Sequence, residues 1–136
     1  MKTSNVKKLL SVCLVAIVLA PSITYAASGS KAEEKAREAV ENAAPDDWFT
    51  LASSAEKLMK KRKNLEEANG WIDQSIEIKE TAYNLALKGD YYMAKRLPEN
   101  ALEYFLRAMN VAKEENEGAD LSNLQRKVAE ITNIGG

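Results

Sequence analysis

Few groups in this chain could do covalent or metal chemistry. It has no histidine and a single cysteine, Cys13. Without histidine the usual general base near neutral pH is missing. With Cys13 inside an apolar leader, the usual zinc and transition-metal ligands are missing from the rest of the chain. Serines, lysines and carboxylates remain. Ser53, Ser54, Ser75 and Ser122 stand in no nucleophile motif, and a chance Ser–Lys pair is commoner than a catalytic one. Asp46-Asp47 and Glu66-Glu67 could act in principle as the acid and base of a hydrolase. Each pair also stands where a helix should begin, and helix starts favour acidic residues. There is no phosphate-binding glycine loop and no calcium loop. The expectation is a protein that is not an enzyme and uses neither metal nor cofactor.

Charge narrows the partners. The whole chain carries a formal charge of −1, from 19 basic and 20 acidic residues. Loss of Lys2, Lys7 and Lys8 with the leader would leave 16 basic against 20 acidic residues, a charge near −4. General binding of nucleic acid wants a basic surface and is not expected. One basic run exists: Lys57, Lys60, Lys61, Arg62 and Lys63. It could grip an acidic peptide or a lipid head group. It also suits the C-terminal end of a helix, where cations meet the negative pole of the dipole, and that second reading is preferred. Glu114, Glu115 and Glu117 read as a solvated helix end.

The elements that position these groups are helical. Residues 1–26 have the layout of a secretory signal: basic Lys2, Lys7 and Lys8, an apolar stretch Leu9 to Ala20, then Pro21 and small residues up to Ala26. Cleavage after Ala26 or Ala27 is expected, with no membrane span left behind. Cys13 precedes further apolar chain, which does not suit lipidation, so the mature chain has no cysteine and rests on packing alone. Residues 27–31 form a small, polar, flexible leader, and residues 32–134 the helical domain. Ala, Glu, Lys, Leu and Arg dominate that domain, and no stretch alternates with the period of a strand. Six helices are expected: Ala32 to Ala43, Asp46 or Asp47 to Lys61, Asn64 to Lys79, Glu80 to Lys95, Pro98 to Glu115, and Leu121 to Ile131. The class is all-α.

Two segments repeat. Leu85, Gly89 and Tyr92, followed by Ala101, Phe105, Ala108 and Met109, form one helix pair. Leu51, Ala55 and Leu58 stand 34 residues before the first three, and Ala68, Ile72, Ser75 and Ile76 stand 33 before the rest. The mismatch predicts one extra residue in the first inter-helix turn, around Arg62 to Asn64. Gly89 and Ala101 are small where two antiparallel helices cross closely, and Tyr92 and Phe105 fill the space beside that crossing. Trp48 and Trp71 look like further packing groups. Ala32, Ala36, Ala39 and Val40 are spaced like half a unit. The last helix puts Leu121, Leu124, Val128 and Ile131 on one face, as an end cap should.

This spacing resembles the tetratricopeptide-repeat family over about Asp46 to Glu115. Trp48 to Ala112 is also similar to the helical tail of some exported bacterial proteins of unknown function. The first resemblance implies stacked antiparallel hairpins and a concave face that holds a peptide or a partner's helix. In such a unit the first helix of each pair lines the groove. The repeat register then puts Phe49, Ala52, Glu56, Met59 and Lys60 on the groove in the first unit, and Tyr83, Ala86, Asp90, Met93 and Ala94 in the second. Methionines and aromatics suit an apolar peptide or helix. Two repeats are fewer than such arrays usually need, so flanking helices or a second copy must supply cover. The implied function is a non-catalytic protein- or peptide-binding adaptor, periplasmic or secreted, in a bacterial envelope or outside the cell. The alternative is a structural protein that uses the groove to form homo-oligomers.

Overall fold

The computed structural model describes residues 29–134. The proposed signal, Cys13 and Gly135-Gly136 lie outside the described residues. Six helices follow in order: α1 (Lys31–Glu41), α2 (Trp48–Lys60), α3 (Leu65–Ile78), α4 (Ala82–Ala94), α5 (Pro98–Glu115) and α6 (Ser122–Ile134). There is no strand among the described residues, and none of these helices is long and apolar enough to cross a membrane. The chain is all-α.

Local chemistry sets the boundaries. Asp47 caps α2, its carboxylate accepting from the Thr50 N–H at 2.9 Å and the Thr50 hydroxyl at 2.6 Å. Pro98 opens α5, where its missing N–H costs nothing. The fourth helix starts at Ala82 rather than Glu80, because Thr81 and Asn84 form a reciprocal capping box that fixes the first turn. The last helix runs past the expected Ile131 to Ile134.

α2 with α3, and α4 with α5, form the two tightest pairs, and α3 joins them by packing on α4. The turn of the first hairpin spans 61–64 and that of the second 95–97, so the extra residue sits where the repeat offset puts it. Arg62 (φ 52°) and Arg96 (φ 60°) take matching left-handed positions. The first turn absorbs its extra residue with a second left-handed residue, Asn64 (φ 51°).

Every repeat position named above is buried except Ile76, Tyr92 and Met109, which are half-buried. Ala55, Leu58, Ala68 and Ile72 form one core cluster with Ala36, Ala52, Leu87 and Tyr91. Ala101 and Phe105 form a second with Ile131, backed by Leu124, Val128 and Tyr92. The flanking helices thus supply the cover that two repeats lack: Ala36 of α1 joins the first cluster, and Ile131 of α6 seals the second. Gly89 does face a close crossing, though its neighbour is Phe105. A β-carbon there would collide with the ring. Tyr92 stacks on Tyr104 of α5, with centroids 5.4 Å apart, instead of filling the crossing itself.

Candidate functional site

α2 and α4 lie side by side. Between them opens a cleft of about 450 Å³ lined by Glu56, Met59, Lys60, Arg62, Leu87, Asp90, Met93 and Ala94. Six of these are groove positions from the repeat register: Glu56, Met59, Lys60, Asp90, Met93 and Ala94. Phe49 and Tyr83 do not line the cleft. They pair at the N-terminal ends of the two helices, centroids 5.8 Å apart, with Phe49 exposed. Ala52 was expected in the groove and is fully buried in the first cluster instead. Its methyl packs inward, one helical step from the groove face.

Two cleft residues escaped the register, Arg62 and Leu87. Leu87 sits on the stripe Tyr83, Leu87, Asp90, Ala94, so helical spacing alone could have found it. Its counterpart in the first unit is Ser53, which hides the pattern. Arg62 belongs to the basic run, and its left-handed backbone carries it into the cleft.

The carboxylates of the cleft are already paired. Glu56 accepts from Lys60 (2.9 Å) and from the Tyr83 hydroxyl (2.8 Å). These contacts, Lys60 first, hold the Glu56 carboxyl below the usual range. Burial, and then the Glu56 contact, push the Tyr83 phenol well above its ordinary value. Asp90 takes the ammonium of Lys127 from α6 at 2.6 Å, and that ammonium also stands 5.1 Å from the centre of the Phe105 ring. Helix α6 therefore reaches a carboxylate of the cleft as well as capping the core. Met59, Leu87, Met93 and Ala94 remain as an apolar floor. Arg62 has no ion partner among the described residues.

A second polar cluster clasps α3 to α4. Lys88 is 5% exposed and donates to Asp73 (2.5 Å) and Asn69 (2.6 Å). The Tyr91 and Tyr92 rings stand 5.5 and 5.4 Å away. Such a fully engaged ammonium is a clasp rather than a base. Beside it, Tyr91 donates to Glu66 at 3.1 Å and Lys95 reaches the same carboxylate at 2.7 Å. Asn84, fully buried, ties α4 to what precedes it. It accepts from the Thr81 N–H and donates to the Ser75 hydroxyl and the Lys79 carbonyl.

No family model, curated protein or solved structure matches this chain. The functional reading therefore rests on the cleft.

Proposed function

We propose that the chain is a short, exported repeat protein of tetratricopeptide type, which holds a protein or peptide partner in the α2–α4 cleft and performs no reaction. The observation that carries this is the cleft itself. Two successive hairpins contribute equivalent residues, Met59 and Met93, to one concave surface. Its carboxylates are neutralised internally, which leaves an apolar floor beside the unpaired Arg62. An apolar segment bearing a carboxylate fits such a surface. Met59 and Met93, with several rotatable bonds each, adapt to an irregular partner.

Capture from a cell-envelope extract with chemical crosslinking tests the reading. The unaltered protein should recover a discrete partner, and the pair Met59→Glu with Met93→Glu should lose it. Recovery at background from the unaltered protein contradicts the proposal. Export has its own test. The N-terminus of the protein recovered outside the cytoplasm should be Ala27 or Ser28, and a retained Met1 would count against the leader.

A further inference from the structure

The charges of this molecule are sorted by edge. α2 and α4 both end on one edge, where Lys95 at the end of α4 meets Glu66 at the start of α3. That edge carries Lys57, Lys60, Lys61, Arg62, Lys63, Lys95 and Arg96, which outnumber the carboxylates Glu66, Glu67 and Glu99 in the first turns of α3 and α5. Lys60 and Lys95 have carboxylate partners, whereas Lys57, Lys61, Arg62, Lys63 and Arg96 have none among the described residues. α1, α3 and α5 end on the opposite edge, which carries Glu41, Asp46, Glu77, Glu114, Glu115 and Glu117 against the cations Lys79 and Lys113, all without ion pairs among the described residues.

Helix dipoles do not account for this sorting. A helix C-terminus disfavours negative charge. Yet α1 and α3 have no basic residue in their last turns, and in α5 the single Lys113 is followed by Glu114-Glu115 at the end. The dipole accounts for Lys57 and Lys60 at the end of α2, but Lys61, Arg62, Lys63 and Arg96 lie past the helices. Arg62 and Arg96 hold left-handed conformations that favour glycine, so both turns keep a cation where the backbone prefers no side chain.

Shape joins charge on the acidic edge. α5 has 18 residues where α3 has 14. Its last four residues overhang by about 6 Å at the helical rise, and the turn up to Asp120 extends this acidic tip. We infer that copies of this chain associate edge to edge, the acidic tip Glu114–Asp120 of one copy seating on the cationic edge around Lys61, Lys63 and Arg96 of the next. The two surfaces are complementary and differ from each other, so the contact is heterologous, and each pair keeps a free tip and a free edge to which further copies add. This inference does not depend on what the cleft holds.

Sedimentation velocity on the purified protein tests it, in salt from about 0.01 M to about 1 M, over which the screening length falls from ~30 to ~3 Å. At low salt the weight-average mass should rise with concentration to at least about twice the monomer, and at high salt it should return to the monomer. Two exposed variants keep the cleft residues intact. One neutralises the basic edge (Lys61→Gln, Lys63→Gln, Arg96→Gln), and the other the acidic tip (Glu114→Gln, Glu115→Gln, Glu117→Gln). Each alone should stay monomeric. An equimolar mixture retains one native contact and should give a dimer that grows no further. A monomeric wild type at low salt overturns the inference. So do association that survives high salt, variants that self-associate like the wild type, and a mixture that stays monomeric. Pelleting with phosphatidylglycerol vesicles, in wild type that is otherwise monomeric, would assign the basic edge to a lipid surface instead.

Discussion

The two hairpins solve one packing problem in two ways. In the first, Ala55 on α2 faces the position of Ile72 on α3. In the second, Gly89 and Phe105 take those places. One pair is a methyl against a branched aliphatic chain, and the other is a glycine against a large ring. All four sites are buried. A β-carbon at Gly89 would collide with Phe105, whereas Ala55 carries one without difficulty. Repeat positions thus conserve volume across the crossing rather than residue identity, as close-packed interiors require. The entries differ as well. Asp47 and Thr50 cap α2 by themselves, while their counterparts Thr81 and Asn84 cap α4 and also bind Ser75 and Lys79. Through Ser75, whose hydroxyl donates to the Trp48 carbonyl at 2.8 Å, the second hairpin is locked onto the first.

The comparison can be broken in order of size. Phe105→Ala should cost about 3–5 kcal/mol in urea unfolding, because a fully buried ring leaves a cavity. Asn84→Ala strands buried partners on two helices and should cost roughly 3 kcal/mol, the upper end for such groups. Asp47→Ala, at the more open cap, should cost clearly less. Equal losses at the two caps would remove the asymmetry. Gly89→Ala should destabilise by about 1–2 kcal/mol, overpacking against Phe105 outweighing the gain in helix propensity. Adding Phe105→Ile should make the crossing resemble the first hairpin, so the double variant should be more stable than the sum of the single losses by about 1 kcal/mol. Simple additivity would mean the two sites do not share the crossing.

The smallest effect joins the hairpins through Tyr83 and Glu56. In a spectrophotometric titration Tyr83 should stay protonated above pH about 10, where free tyrosine ionises. Burial is the larger cause, so Glu56→Gln should lower that midpoint only in part. The sign follows from linkage: a raised phenol contributes stability below its unfolded pKa and loses it as pH climbs through the folded value. Glu56, held low, contributes above its unfolded pKa and loses its contribution as pH falls through the folded value. Its partial exposure keeps that second effect small.

Much of this was legible in the sequence because a hairpin is written in local spacing. The helices and the single extra residue in the first turn follow from periods of three, four and 34, and the six cleft positions from the groove that the repeat resemblance implied. What escaped depends on partners from other helices. Lys88 could not be assigned to Asp73 and Asn69, nor Lys127 to Asp90, since long side chains reach partners that spacing does not specify. Tyr91 and Tyr92 are neighbours in sequence and point roughly 100° apart on a helix. Only tertiary packing decides that Tyr91 is the more buried. Ala52 was misplaced for a related reason: a methyl group is compatible with both core and groove.

Site-specific photo-crosslinking tests the central claim most directly. A photoreactive residue is placed at Met59 on the first hairpin, at Met93 on the second, or at exposed Leu106 on α5, which does not line the cleft. Positions 59 and 93 should trap the same partner in an envelope extract, and position 106 should not. Traps of different proteins at 59 and 93, or equal trapping at 106, would contradict a single groove built from two equivalent hairpins.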